Sequence, residues 1–271
     1  MRLASVGVPF GKASACGNDF LLIEFEKTEG KIASGDLASF TRRICDRHEG
    51  VGADGVEWIF PHTSADVEIR LINSDGSEAE ISGNGTRCVA AYLCQTRQKE
   101  RVSILTGAGL KTCTLMRQSG LEYEFEVEMG LATVGAELAV TLEKKEVRGI
   151  LVSIGNPHYV VFVPEFEEEW RENAAAIQRN SYFAQGVNIE MVVVDGSHDA
   201  QVRFFERGAG ETQSSGTGSC AAAVAAVSSG KAEFPVRIHA PGGTQIVSQR
   251  DNLIFLRGSA RLVCRGEFFL I

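Results

Sequence analysis

Two short segments, 133 residues apart, hold the residues of this sequence that are best suited to chemistry. The first reads Ser82-Gly-Asn-Gly and the second Ser215-Gly-Thr-Gly, and each leads into an alanine-rich stretch of helical character. Glycines permit a tight turn, and a helix that begins there leaves its first backbone N–H groups without intrahelical partners. The helix macrodipole and these donors together favour a carboxylate. Each loop therefore predicts a carboxylate site beside a serine hydroxyl.

The two loops are part of a wider internal similarity. Aligned without a gap, they share a glutamate four residues before the serine and glycines one and three residues after it. A second match, displaced by 138 residues, relates Gly17-Asn-Asp-Phe20 to Gly155-Asn-Pro-His158. Matches in the same order predict an internal duplication with two domains of similar size, divided near Gly130. If the halves face each other, the loops would serve the two faces of one small ligand.

Further polar residues extend this hypothesis to an amino acid as the ligand. Collected at one cleft, they would bind an amine and a carboxylate. Taken singly, the amides could tie loops together and the charged pair could be a surface ion pair. A single loop could equally be a plain N-cap, while Walker A and nucleophile-elbow patterns are missing from both. The residues concerned are Asn18, Asn73, Asn156, Asn188 and the pair Glu206-Arg207.

Composition excludes several other classes of partner. The 271 residues carry a net charge of -8, and we find no clustered basic surface of the kind that binds nucleic acid. Apolar runs such as Tyr159-Val-Val-Phe-Val163 are too short to span a membrane, and the first residues lack a signal-peptide core, so we expect a cytoplasmic protein. The seven cysteines and five histidines lack metal-ligand spacing, so neither a metal site nor a disulfide framework is expected.

The pattern along the chain predicts a protein of the α+β class. Short runs that alternate polar and apolar residues are typical of antiparallel strands with one wet face. Helical patterns are few, and one of them follows each serine loop. The predicted strands include 20–24, 56–60, 67–72, 123–128, 202–205 and 253–256, and the predicted helices are 35–46 (with Asp36 as N-cap), 85–98, 167–178 and 218–229.

At this point the motifs resemble those of diaminopimelate epimerase, in the PLP-independent racemase and epimerase superfamily. The resemblance follows the order of the motifs along the whole chain. They are Gly17-Asn-Asp-Phe20, Arg47-His-Glu-Gly-Val-Gly52, Asn73-Ser-Asp-Gly-Ser-Glu78, Ser82-Gly-Asn-Gly-Thr-Arg-Cys88, Gly155-Asn-Pro-His158 and Glu206-Arg-Gly-Ala-Gly-Glu-Thr-Gln213.

The resemblance implies a fold and an activity. The fold has two pseudo-symmetric domains, each a mostly antiparallel sheet wrapped around a central helix. We place the domains at residues 1–129 and 130–260, with a last strand, 261–271, returning to the first. The implied reaction is cofactor-independent inversion at an amino-acid α-carbon, from LL- to meso-diaminopimelate in lysine biosynthesis. The implied substrate is a small molecule, and members of the family are often homodimers.

Residue roles follow from the same resemblance. The positions of the acid/base groups fall on Ser82 and Ser215, with His158 beside the reacting carbon and Glu206 as a further catalytic group. One position departs mildly from the family pattern, because many members of that family carry glutamine where this chain has Gly55. The implied substrate-binding residues are Asn18, Asn73, Gly83, Asn84, Asn156, Asn188, Glu206, Arg207, Gly216 and Thr217.

The serious departure lies at the two acid/base positions. The resemblance implies a cysteine at each, one thiolate removing the α-proton and one thiol returning a proton, but this chain has Ser82 and Ser215. Cys88 and Cys220 lie too far along their predicted helices, about 8 to 9 Å at a rise of about 1.5 Å per residue. A serine hydroxyl needs a neighbouring base, and losing one acid/base group costs about 10²–10⁴-fold in rate. We therefore expect impaired epimerisation unless Glu78, Glu211 or His158 acts as base.

Four explanations of the serines remain open at this stage. The first explanation is an epimerase whose cysteines were replaced by design. The second is a natural homologue that catalyses another reaction, such as dehydration of a hydroxylated amino acid. A third explanation is a non-catalytic amino-acid-binding protein that keeps the cleft. The fourth, a serine hydrolase using Ser82 or Ser215 with His158, lacks an acid partner and an elbow motif.

Overall fold

The computed structural model describes residues 7–28, 30–142 and 145–270. They form two compact units, which we call the first unit (residues 7–127 and 259–270) and the second unit (residues 128–258). The domain limits expected from the sequence, 129/130 and 260/261, differ from these unit limits by two residues. Ile271, the end of the expected return strand, lies outside the described residues.

Strands dominate both units, and the described elements follow in chain order. The first eight strands and two helices are β1 (Gly7–Ala15), β2 (Asn18–Glu24), α1 (Leu37–Cys45), β3 (Gly55–Phe60), β4 (Val67–Asn73), β5 (Glu78–Ala79), α2 (Gly83–Arg97), β6 (Arg101–Thr106), β7 (Gly109–Ser119) and β8 (Glu122–Leu131). The others are β9 (Thr133–Thr141), β10 (Glu146–Ser153), β11 (Pro157–Phe162), α3 (Trp170–Gln178), β12 (Asn188–Gly196), β13 (Asp199–Glu206), β14 (Gly210–Thr212), α4 (Gly216–Ser228), β15 (Val236–Ala240), β16 (Gly243–Arg250) and β17 (Leu253–Phe269).

The two units share one sequence of strand pairings. In the first unit, β1–β2 is antiparallel, β2–β3 parallel, β3–β4 antiparallel, β4–β6 parallel and β6–β7 antiparallel. In the second unit, β10–β11, β11–β12, β12–β13, β13–β15 and β15–β16 repeat that alternation. The α+β class and the mostly antiparallel sheets expected from the sequence are thereby confirmed.

All four predicted helices are present, with ends that shift by up to three residues. α2 and α4 are the central helices of their units, and α4 is buried from Gly218 to Ala226. A helix surrounded by strands has no wet face, so a run of alanines replaces the usual amphipathic pattern. Asp36 is the N-cap of α1 as predicted, but its side chain makes no capping hydrogen bond.

Two chemical features of the described residues complete the fold. All seven cysteines are free thiols, and Cys264 alone of them is exposed. No helix in residues 7–28, 30–142 and 145–270 is long and apolar enough to cross a membrane.

The core of the first unit should depend on its fully buried aromatics. Phe125 is 0% exposed, whereas Phe269 in the same unit is 53% exposed. We expect Phe125→Ala to lower the free energy of unfolding by about 3–5 kcal/mol, because it removes a packed ring and leaves a cavity. Urea unfolding followed by circular dichroism measures the loss, with Phe269→Ala as the matched control. Equal losses in the two variants would contradict this view of the core.

Candidate active site

In the first unit, Ser82 begins the central helix α2 as its N-cap. Its backbone is extended, with φ −120° and ψ 121°, and its Oγ accepts a hydrogen bond from the N–H of Gly85, at 3.1 Å. The Ser82 carbonyl in turn accepts from the N–H and the hydroxyl of Thr86, both at 2.8 Å. The N–H of Gly83, at the first helical position, has no acceptor inside the helix. The helix start thus has the form required for an anion site.

An amide network holds the Ser82 loop in place. Asn84 Nδ2 donates to Asn18 Oδ1 at 2.7 Å, and Asn18 Nδ2 donates to Asp54 Oδ2 at 3.1 Å. The guanidinium of Arg87, itself 0% exposed, donates to Asn84 Oδ1. The structure therefore brings Asn18 and Asn84 together. Their side chains bond to each other, and this contact fixes the loop at the start of α2.

Asn73 and Gly55 lie at the neighbouring ends of β4 and β3. Asn73 Nδ2 donates to Ser77 Oγ at 3.0 Å within its own turn. A Cβ on Gly55 would lie 2.7 Å from the carbonyl oxygen of Ile72. That approach is too close for a side chain without a backbone shift, so the local strand geometry favours glycine at this position.

In the second unit, Ser215 is the N-cap of α4 and has a carboxylate beside it. Its Oγ accepts from the N–H of Gly218 at 3.2 Å and donates to Glu206 Oε1 at 2.7 Å. A hydroxyl bonded to a carboxylate has a base to which its proton can pass. Ser82 has no carboxylate partner among the described residues. The two serines are alike as helix caps and differ in their access to a base.

His158 is part of a buried acid–imidazole pair in the second unit. His158 and Glu190 are both 0% exposed, with Nδ1 2.7 Å from Glu190 Oε1 and Nε2 2.9 Å from Asn156 Oδ1. Burial raises the pKa of Glu190, against the opposing effect of its hydrogen bond to His158. Asn156 Nδ2 also lies 3.4 Å from Thr217 Oγ1 on the second loop. The structure thus links Asn156, His158 and Thr217.

Asn188 and Arg207 form a second group in the same unit. The N–H of Arg207 donates to Asn188 Oδ1 at 3.0 Å, and Asn188 Nδ2 donates to the carbonyl of Pro157 at 3.0 Å. The guanidinium of Arg207 donates to the carbonyl of Gln185 at 3.1 Å. Within the part of the chain that the structure describes, Arg207 makes no ion pair, so its charge is available for a substrate carboxylate.

The alternative bases suggested by the sequence are occupied or remote. Glu211 forms a two-point ion pair with Arg171, with one contact of 2.9 Å. Both ring nitrogens of His158 are already bonded, and Glu78 is exposed on β5. Cys88 and Cys220 are 0% exposed, and burial strongly raises the pKa of the Cys88 thiol. In the second unit, Glu206 is the carboxylate in direct contact with the loop serine.

Sequence reasoning missed Glu57, Glu190 and Arg87, all of them 0% exposed. The two glutamates are 133 residues apart, the same displacement that separates Ser82 from Ser215. This shared displacement is the sequence signal that could have identified the two glutamates as an equivalent pair. Nothing in the local sequence of Arg87 indicates that it bonds to Asn84.

Similar solved structures define the fold class of this chain. A phenazine biosynthesis protein of the PhzF family from Bacillus anthracis aligns with a TM-score of 0.72 and 14% identity, over 97% of this chain and 99% of that one. A hydroxyproline epimerase from Agrobacterium vitis aligns with a TM-score of 0.70 and 15% identity, over 100% and 94%. The chain has the diaminopimelate epimerase-like fold that such proteins share.

Sequence comparison narrows the class to one family. The family model for diaminopimelate epimerase matches residues 10–134 and 150–263. The diaminopimelate epimerase of Moorella thermoacetica is 36% identical over 277 residues, covering 96% of this chain and 98% of that protein. That of Desulfitobacterium hafniense is 34% identical over 275 residues, covering 94% and 96%. The chain belongs to the diaminopimelate epimerase family, whose named members are isomerases acting on an amino acid.

The buried acid of the first unit should make stability depend on pH. Burial raises the pKa of Glu57 from 4.5 to about 8. The folded state therefore keeps a proton that the unfolded state releases, so the stability of the first unit should fall as pH rises from about 4.5 to about 8. The fall should be on the order of 5 kcal/mol and should flatten above that range.

Urea unfolding at pH 5, 7 and 9 tests this dependence. The chain has two tryptophans, Trp58 in the first unit and Trp170 in the second. In a Trp170→Phe background, fluorescence therefore reports on the first unit. Glu57→Gln is the matched variant, because it keeps the shape and removes the proton equilibrium. The same pH dependence in both proteins would refute the assignment.

Proposed function

We propose that this chain binds diaminopimelate and acts on its α-carbon without a cofactor, with much weaker proton transfer than a thiol pair would give. One observation carries the proposal: in each unit, a serine at a family acid/base position caps the central helix at a Ser-Gly-X-Gly loop. Such a start offers backbone N–H groups and the positive end of the helix dipole to a carboxylate. Family membership supports diaminopimelate as the amino acid.

The binding residues that we assign have complementary chemistry. Gly83, Asn84, Gly216 and Thr217 form the first turns of α2 and α4, and backbone donors there suit the α-carboxylate. Arg207 supplies a positive charge with no ion pair among the residues described. Other side chains supply acceptors and donors for the amino groups of the substrate. They are Glu206, Asn18, Asn73, Asn156 and Asn188. A cytoplasmic location, assembly as a homodimer and an internal duplication of the gene belong to this proposal as further expectations.

The reaction itself is limited by the two serines. Inversion requires removal of a proton from one face of the α-carbon and delivery of a proton to the other. Ser215 can pass its proton to Glu206, which lies 2.7 Å away, whereas Ser82 caps its helix and has no hydrogen bond to an acid among the described residues. A serine hydroxyl has a much higher pKa than a thiol and is a weak acid and base without such help. We therefore expect slow exchange that involves the Ser215 loop and little inversion.

Deuterium uptake at the α-carbon of LL- and meso-diaminopimelate in D₂O tests this proposal. The proteins compared are the unmodified chain, the Ser82→Cys and Ser215→Cys single variants, and the double variant. Each thiol restores an acid/base group worth about 10²–10⁴-fold in rate, so the double variant should be at least about 10²-fold faster than the unmodified chain. Glu206→Gln in the unmodified chain should remove the residual exchange.

Each outcome of this comparison decides a different part of the proposal. Equal exchange by the unmodified chain and the double variant would contradict impairment by the serines. No exchange and no binding by any variant would contradict diaminopimelate as the ligand. Binding of diaminopimelate without exchange, even by the double variant, would favour an amino-acid-binding protein over an epimerase.

A further inference from the structure

Glu57 is an ionisable group in an apolar interior. It lies on β3 and is 0% exposed. Its neighbours across the sheet are Leu22 on β2 and Leu71 on β4, neither of which can bond to it. Within residues 7–28, 30–142 and 145–270, neither oxygen of its carboxyl group has a hydrogen-bond partner. Burying an acid without a partner costs stability. Residues that break such a rule are expected at functional sites, so the position of Glu57 is informative.

The Glu57 carboxyl group touches the first turn of α2. A Cβ on Gly85 would lie 1.8 Å from Glu57 Oε1, so the two residues fit together because position 85 has no side chain. The N–H of that same Gly85 donates to Ser82 Oγ at 3.1 Å. Glu57 therefore lies at the helix start that we assign to a substrate carboxylate, on the interior side of the turn.

The second unit shows what Glu57 lacks. Glu190 occupies the matching place, where a Cβ on Gly218 would lie 2.7 Å from its Oε1. There the acid is bonded to His158, which is the strand partner of Asn188. In the first unit, Phe20 holds the corresponding strand position opposite Gly55. The carboxyl group of Glu57 thus lies at its helix start without an imidazole partner like the one that is bonded to Glu190.

We propose that Glu57 regulates carboxylate binding at the start of α2: as a neutral acid it permits an anion there, and as a carboxylate it repels one. This inference rests on the proposed function for the identity of the anion site. Two negative charges at one helix end compete for the same helix dipole and repel each other. The apolar surroundings screen their repulsion poorly. Because the coupling is reciprocal, a bound carboxylate must also favour the protonated form of Glu57.

The pH range in which Glu57 changes charge follows from its surroundings. Burial raises its pKa to about 8, so it changes charge in mildly alkaline solution. On α2, Arg87 contributes a guanidinium group, and burial raises the pKa of the Cys88 thiol. On β2, burial opposes ionisation of Asp19 and Glu24, but basic partners outweigh it and lower both pKa values.

Another titratable side chain near α2 is the thiol of Cys16, which lies 3.5 Å from Arg87. Its position in the loop before β2 places it close to the buried thiol of α2. A Cys16→Ser variant therefore serves as the matched control for any titration that does not come from Glu57.

The experiment is calorimetric titration with pimelate, the seven-carbon dicarboxylate without amino groups, at pH 6.5, 7.5, 8.5 and 9.5. Both of its carboxylates are ionised throughout, so changes in affinity report on the protein. We expect the affinity of the unmodified chain to fall about tenfold over this range. The Cys16→Ser control should show the same fall, and Glu57→Gln should show a constant affinity.

Several results would overturn the inference. If the affinity for pimelate falls equally in the unmodified chain and in Glu57→Gln, Glu57 does not regulate binding. The proposed function would be unaffected by that result. Failure of the unmodified chain to bind either pimelate or diaminopimelate would overturn the proposed function and, with it, this inference. If Glu57→Gln does not fold, titrations of the unmodified chain at pH 8 in two buffers of different ionisation enthalpy measure proton uptake directly. Uptake of about half a proton per anion is expected, and zero uptake would overturn the inference.

Discussion

The N–H groups at the start of a buried helix are the constraint on which this structure depends. α2 and α4 lie at the centres of their units, so the donors of their first turns need acceptors inside the protein. One serine hydroxyl at each start accepts the N–H of a glycine in the first turn. The glycines that follow keep the turn clear of side chains. Such a helix start has the form that a carboxylate site requires.

The same helix starts differ in how they handle protons. In the second unit, Ser215 is bonded to Glu206, and Glu190 is bonded to His158. In the first unit, Ser82 and Glu57 have no such partners among the described residues. An anion site needs only the helix start, whereas proton transfer needs acids and bases of suitable strength. This separation is the physical basis of our proposal that the chain binds the substrate of its family and transfers protons weakly.

The sequence predicted those features of the fold that have local causes. Strand alternation and alanine-rich helical runs identified the four helices and the α+β class, and the repeated loop located the starts of α2 and α4. The sequence also contained Glu57 and Glu190 at the displacement of the two serines. It could not show that both are buried, because a single glutamate in a polar and apolar alternation is typical of a wet strand face.

Side-chain partnerships were beyond the sequence for a physical reason. Whether Ser215 meets Glu206, or Asn84 meets Asn18, depends on contacts between residues that are far apart in the chain or separated by a turn. Residue types show which groups can donate and accept, and tertiary packing decides which ones meet. The resemblance to a family supplied the candidate residues, and the coordinates show that several of them bond to one another.

The central claim is that the two serine-capped helix starts are carboxylate sites. The most direct measurement is the amide chemical shift of Gly83 and Gly216 in a ¹⁵N-labelled protein during titration with diaminopimelate. Both are the first residues of their helices, so an arriving carboxylate must change the environment of their N–H groups. We expect both signals to shift with the same saturation curve. Saturable binding that leaves both amides unchanged would contradict this account of the chain.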